Sequence, residues 1–417
     1  MADNVSHERT RADVVIVGAG PAGASTAWHL AQLGVDVLLL DRAHFPRDKV
    51  CAEYLSPEAS RILTAMGAMP AIERAGAAHL TGMRVRAPNG AALEGSFAAQ
   101  HGFRGFRDSG LALRRTVLDA ILLDRARGAG VRVIEGARVT DVVRDADGRA
   151  VGVDVLDEYG SFGIEARLVI GADGLRSIVG RRLGLTRVAR WPRRVALVAH
   201  YRGVRDVTDV GEMHVERDGY VGIADVGHGL TNVALVVPVA KHGEALRNRT
   251  ALLEGWLASK PQLADRFRDA ERVDDVRATG PFASSARPAW APGAALVGDA
   301  ADFFDPFTGE GVYSALRGGE LLAPFAAASV RSTDARHANA ALEAYEHARR
   351  ATFGGKWQVE RIIGATVAVP ALINHAARAL SRRREMADLL VGVAGDFVPA
   401  NQVLRAGYVA RLLVFGA

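Results

Sequence analysis

The 417-residue sequence predicts an α/β chain in which a parallel-sheet domain is interleaved with a mainly antiparallel β-sheet and followed by a C-terminal helical region. Three observations predict it. The first fifty residues read as strand, glycine turn, helix, strand. Two later segments, "RLVIGADG" from residue 167 and "ALVGDAADFFDPFTGEG" from residue 295, each run from a short apolar strand into a glycine–aspartate turn. The stretches between these pieces show period-two alternation and glycine turns instead of helical periodicity.

In "DVVIVGAGPAGASTAWHLAQLGVDVLLLDRA", the β-branched run Val14–Val17 reads as a buried parallel strand. Gly18, Gly20 and Gly23 follow in the spacing G-x-G-x-x-G, and Pro21 and Ala22 open a periodic helix that runs to Leu33. Gly34 stops the helix, and a second buried strand ends at Asp41, next to Arg42. Strand, glycine turn, helix, strand and acid in this order form the Rossmann-like dinucleotide fingerprint. Gly18 allows the tight turn, Gly20 lets the backbone approach a pyrophosphate, and Gly23 lets helix and strand pack closely. The free N–H groups and positive dipole of the helix start favour phosphate. Asp41 is placed to accept a ribose hydroxyl.

The segment from 167 continues into Asp173-Gly174 and a helix opened by Arg176-Ser177, and the segment from 295 ends its apolar run at Asp299. With the N-terminal fingerprint these resemble the three motifs of the FAD-dependent monooxygenase superfamily, over residues 12–345. That group includes aromatic hydroxylases, geranylgeranyl-reductase-like enzymes and flavin-dependent halogenases. The resemblance implies a Rossmann-like FAD-binding domain (11–82, 108–186 and 281–345) and a substrate domain (83–107 and 187–280), with 346–417 as the helical region. It implies that Asp299 binds the ribityl chain, that Pro306–Gly311 passes the isoalloxazine ring, and that Glu310, Gly311 and Val312 start a helix at its pyrimidine edge. Such a helix start suits the negative charge of a reduced flavin, and Gly309 and Gly311 keep the backbone close to a flat ring. Asp173 and Gly174 join the FAD set, as does Arg115, which has the family's spacing to Leu118 and Asp119. Val139, on a strand read over Arg138–Val143, completes it.

The loop "HFPRDKVCAEYLSPEASRIL" (44–63) should select the chemistry, because in the family it runs along the flavin before a helix that starts here near Pro57. Its core, Lys49-Val50-Cys51, resembles the geranylgeranyl-reductase-like subgroup, which also holds hydroxylases of polyketide and phenolic-lipid pathways. Ala52 stands where a glycine often follows the cysteine. Cys51 reads as a small apolar contact near the ring, since one cysteine cannot form a redox disulfide. Glu53 and Tyr54 face the pocket or pack within the loop, and Arg47 and Lys49 suit phosphate or flavin edges.

Residues 83–107, with a hairpin signal at Asn89-Gly90, and 187–280 read as one mainly antiparallel sheet roofing the flavin. His200, Tyr201, His214, Tyr220 and Asp225 are its pocket-facing candidates, and with Tyr54 they form the candidate substrate set. No histidine–carboxylate spacing suggests a metal, so metal ligands are expected to be none. "GYVGIADVG" lacks the Trp-x-Trp-x-Ile-Pro stretch of halogenases, and Trp191-Pro192 is too short to replace it. The same stretch lacks the aromatic-rich motif of prenyl reductases.

The net charge is +5, and only four of the 52 basic residues are lysines: Lys49, Lys241, Lys260 and Lys356. No basic run with interleaved aromatics appears, so no nucleic-acid partner is expected. A lone cysteine and the polar start "MADNVSHERTRAD" point to the cytoplasm. Residues 346–417 read as helices broken by Gly354-Gly355 and Pro370. Their nearly uncharged run 362–377 is shorter than a bilayer span of about 20 residues, and it leaves open a packed helix, an apolar tunnel or peripheral membrane contact.

The resemblance implies a monooxygenase of secondary metabolism that hydroxylates an aromatic or polyketide-type molecule. NAD(P)H would serve as transient electron donor, and a flavin C4a-hydroperoxide would transfer OH in a dry pocket. A geranylgeranyl-reductase-like reductase of prenyl double bonds and a non-catalytic lipid-binding protein are the alternatives.

Overall fold

The structure is a computed structural model that describes residues 11–99, 101–189, 191 and 193–414. Residues 1–10, read above as the polar start, and Pro192 lie outside the described residues. At the centre is an eight-stranded sheet. Its parallel core runs in the order Ala294–Leu296, Gly160–Gly171, Arg11–Val17, Val37–Leu40, Arg132–Ile134. Val14, Val15 and Ile16 are all fully buried, as continuous apolar strands must be when both faces are covered. The helices Pro21–Gln32 and Gly311–Arg331 cover one face, and the antiparallel strands Arg138–Arg144 and Ala150–Asp157 fold over the other.

The glycine turn has the predicted form. Gly18 has φ +99°, and a Cβ on Gly23 would lie 1.8 Å from the Gly18 carbonyl oxygen, so helix and strand touch through bare backbone. Asp41 pins the turn from the next strand, accepting the N–H of Ala19 at 2.8 Å and that of Ala43 at 2.9 Å. The third motif departs from the expected form. Its strand stops at Leu296, and Asp299 sits in a separate one-turn helix, Gly298–Ala300, that carries it past the sheet.

The second sheet also has eight strands. Arg194–Arg202, Thr231–Pro238, Gly219–Asp225 and Val210–Glu216 pair antiparallel, and the hairpin Gly82–Arg86 with Ala92–Ser96 joins at the edge. The join is parallel, Val210 opposite Gly82, because the two chain segments enter the sheet from separate places in the sequence. Two helices that the alternation did not reveal, Arg249–Ala258 and Pro261–Phe267, cover one face through Leu253, Trp256, Leu257 and Leu263. The opposite face carries Ala196, Val198, Met213, Val215, Tyr220, Ala234 and Val236.

The long helix Ala335–Ala368 crosses residues 345–346 without a break and runs straight through Gly354-Gly355. Phe353 and Trp357, both buried, anchor that turn, and their packing outweighs the roughly 1 kcal/mol that each glycine costs a helix. Pro370 does break the chain, and Pro370–Ser381 leaves at 112° to the long helix. Arg384–Ala394 then packs on the hairpin edge, where Asp388 accepts the Ser96 N–H at 2.9 Å. Among the described residues no single helix is long and apolar enough to cross a membrane.

Gly23→Ala is expected to force helix and strand apart at a cost of about 3 kcal/mol or more. A lowered chemical-denaturation midpoint together with loss of nucleotide binding checks it.

Candidate active site

The parallel strands end at a cleft in which cations and carboxylates from distant segments meet. Arg115 opens the helix Arg115–Gly128 and is buried, binding Asp119 through two hydrogen bonds of 2.7 Å. Asp119 has no exposed surface, so the acid in the recognised spacing is the partner of its arginine. Arg47 also reaches Asp119, at 2.8 Å, with Asp41 4.0 Å away. A Cβ on Gly20 would lie 3.4 Å from the Arg47 guanidinium and 3.7 Å from that of Arg115. Two guanidinium groups therefore stand over the helix start at Pro21, which is the chemistry a pyrophosphate needs.

Lys49 stands 3.5 Å from where a Cβ on Gly174 would be. Burial lowers its pKa, with Asp299 opposing. Burial raises the pKa of Asp299, with Lys49 and then Arg115 opposing. Asp173 accepts the Ile178 N–H with one oxygen, while its other oxygen is buried with no partner. The FAD implied by the sequence fits this set: a glycine turn under two guanidinium groups, Lys49 and Asp299 facing each other, and an orphaned Asp173 oxygen. Arg42 is exposed at the rim. Pro21, Ala22 and Val312 are buried at their helix starts. Val139 lies with Val17 and Leu40 in the core, so its side chain is packing and not cleft wall.

The loop from Asp302 to Gly311 is held by charge. Asp302 pairs with Arg349, Asp305 with Arg194 and the Tyr220 hydroxyl, and Glu310 with Lys356 at 2.8 Å. Lys356 also pairs with Asp396, and Arg349 with Glu346 at 2.9 Å. Burial raises the Asp302 pKa to about 6 and that of Glu360, beside this cluster, to about 7. A cavity of ≈ 60 Å³ lies against the loop, with Asp299, Ser314 and Glu360 in its wall. A hollow of ≈ 950 Å³ is lined by Arg11, Arg149 and Arg167, where strand Arg11–Val17 begins. It lies away from the carboxyl ends of the strands, where ligands of such sheets bind. Gly309 has φ +72°, and a Cβ there would lie 2.9 Å from the Tyr54 ring. The left-handed turn and the Tyr54 ring already require glycine there.

The Cys51–Tyr54 loop is gripped by the second sheet. Glu53, at φ +61°, accepts the Arg115 backbone N–H at 2.8 Å and binds His200 Nε2 at 2.7 Å. His200 Nδ1 binds Asp274 at 2.7 Å, and Asn232 donates to the Cys51 carbonyl at 3.0 Å. With a carboxylate on each ring nitrogen, both nitrogens donate and the ring is an imidazolium. Burial would lower its pKa, but Glu53 and then Asp274 outweigh that and hold it above the ordinary value. Burial raises the Cys51 thiol.

Tyr54, His200 and Tyr220 therefore reach the flavin-side loops, and His200 serves as a clamp with no side open to a substrate. His214 does not reach them. It alternates with Met213 and Val215, points to the opposite face, and is bound by Glu212 at 2.7 Å under Arg266. Tyr201 packs on Phe267 on that same face, and Asp225 caps its own turn through the Gly227 N–H. The unforeseen helices are the reason, since they turn that face of the sheet into interior. Sequence reading also missed Asp274, Arg349, Lys356 and Asp396. Scarcity could have drawn attention to Lys356, one of four lysines in an arginine-rich chain. The others carry no local signal.

Among known proteins, residues 11–359 match the family described as FAD binding domain. Digeranylgeranylglycerophospholipid reductase 2 of Methanopyrus kandleri is 31% identical over 93% of this chain and 93% of its own. Menaquinone reductase of Mycolicibacterium smegmatis is 33% identical over 75% of this chain and 76% of its own. The structure of the flavin-dependent brominase Bmp2 superposes with a TM-score of 0.81 at 23% identity, covering 96% of this chain and 99% of that one, which is a likeness of fold.

Lys356→Met leaves Glu310 and Asp396 buried without their cation and should cost about 3–5 kcal/mol. Adding Glu310→Gln and Asp396→Asn should recover much of it in a denaturation series. The His200 proton gives stability that is complete below the free imidazole pKa of about 6.5 and is lost as pH rises through the raised folded value. His200→Gln should remove that loss, checked by melting temperature against pH.

Proposed function

Because the chain belongs to the FAD binding domain family and is an FAD-dependent oxidoreductase, we propose that it saturates carbon–carbon double bonds of an apolar, prenyl-type substrate. The observation that carries this reading is the apolar packing on the second sheet's inner face. Val50 and Ala52 of the flavin-side loop, Phe303 and Phe307 of the held loop, Ala196, Val198 and Val236 of the sheet, and Val367, Ile373 and Ala377 of the bent helices form one apolar cluster. Such a cluster matches a long hydrocarbon. The Methanopyrus and Mycolicibacterium relatives, at 31% and 33% identity, bear reductase names, which moves reduction ahead of the hydroxylation favoured by the sequence.

FAD held by the cleft residues would supply two-electron redox chemistry to the site. The chain's own residues do the rest. Arg47, Arg115 and the glycine turn hold phosphate, with Asp119 aligning both guanidinium groups. The start of helix Gly311–Arg331 offers free N–H groups to the negative charge of a reduced ring. The Glu53–His200–Asp274 clamp keeps the Cys51 loop closed under the sheet, and the apolar roof excludes water.

Hydroxylation of an aromatic or polyketide-type molecule is the second reading, favoured by the rings of Tyr54, Phe97, Phe307 and Tyr220 around the same loops. The purified protein, supplied with NAD(P)H and a geranylgeranyl lipid without oxygen, is expected to add two hydrogens per double bond. A product that gains one oxygen atom, and only with O₂ present, would replace reduction by hydroxylation. A preparation that takes up no flavin would leave only lipid binding.

A further inference from the structure

The helix Pro370–Ser381 is apolar on two sides. Ile373 and Ala377 face the active-site cluster, while Leu372 is 50% exposed and Val369, just before the helix, 41%. The last described helix, Ala406–Val414, lies against it, with His375 Nε2 within 2.9 Å of the Leu412 carbonyl oxygen. Leu413, next along that helix, is 64% exposed, and exposed Val409 shares its face at i, i−4. Pro370–Ser381 also carries Asn374, His375 and Arg378, so its outward apolar residues form a local crest and not a wholly apolar surface. Here the outer side has no cover among the described residues.

Basic residues dominate the chain around this face, with exposed Glu385 and the Arg384 partner Glu94 at its edge. From 361 to 384 the sequence holds Arg361, Arg378, Arg382, Arg383 and Arg384 and no acidic residue, and from 397 to 417 Arg405 and Arg411 and again none. Arg378, Arg382, Arg405 and Arg411 are exposed, and among the described residues no carboxylate pairs with them. An apolar crest with an arginine rim is the pattern of helices that lie in a membrane interface. An acidic protein partner would meet the arginines but not the aliphatic crest, and a second copy would bring a like-charged rim.

We infer that the Pro370–Ser381 and Ala406–Val414 helices form a docking face for an anionic lipid surface. The crest sits in the acyl boundary, the arginines bind lipid phosphates, and the inner side of the same helix lines the apolar cluster. The face thereby opens a short path from bilayer to active site. This assignment stands apart from the choice between reduction and hydroxylation, because vesicle binding needs no turnover.

Cosedimentation of the full chain with vesicles of phosphatidylglycerol and phosphatidylcholine tests it. Binding should rise with the phosphatidylglycerol fraction and fall with salt. Arg378→Glu with Arg382→Glu should weaken it by about tenfold or more, and Leu372→Ser with Leu413→Ser should weaken it at every salt concentration. Circular dichroism and flavin content would show the variants folded. Binding that ignores all four substitutions would overturn the assigned face, and failure to bind anionic vesicles would overturn the inference itself. A chain that dimerises, and loses the dimer in the leucine variant, would assign the face to a second copy instead.

Discussion

Three carboxylates on one loop, neutralised by two cations from the helix Ala335–Ala368 and one from the second sheet, hold the active site together. Asp302 is taken by Arg349, Asp305 by Arg194 and Glu310 by Lys356. The loop between them sets Asp299 on one side and the start of helix Gly311–Arg331 on the other. Buried ion pairs contribute little net stability over apolar packing, but breaking one costs about 3–5 kcal/mol. Such an arrangement gives position more than stability. It fixes a glycine-containing loop that backbone preference alone would leave loose.

Charge also joins the two sheets. The strand Arg194–Arg202 sends Arg194 to the held loop and His200 to the Cys51 loop, so a single strand of the second sheet grips both walls of the cleft. Between those two anchors its inward residues, Ala196 and Val198, are small and apolar. The same strand thus closes over the cleft and presents an apolar face between its two anchors. His200 is the titratable member, and its two carboxylates explain why a histidine sits buried without a metal or a nucleophile to serve.

Period and partnership differ in how far they can be read. Val14–Val17, the glycine turn, Pro21–Gln32 and Asp41 were legible because each depends on neighbours within thirty residues. Arg115 and Asp119 were legible for the same reason, being one helical turn apart. Asp274, 74 residues from His200, and Asp396, 40 from Lys356, had no such signature. The glycine pair in Ala335–Ala368 misled because glycine is a weak breaker that packing by Phe353 and Trp357 overrides.

The sequence by itself determined the dinucleotide fold, and its resemblance to a known family named the cofactor. The fold follows from backbone geometry, which glycine spacing and strand periodicity encode locally. Tertiary structure alone decided which face of the second sheet looks at the cofactor. Alternation says that residues point to two sides, but not which side is covered by Arg249–Ala258 and Pro261–Phe267. That choice turned His214 and Tyr201 into packing, made His200 a clamp, and put apolar side chains on the face toward the flavin-side loops.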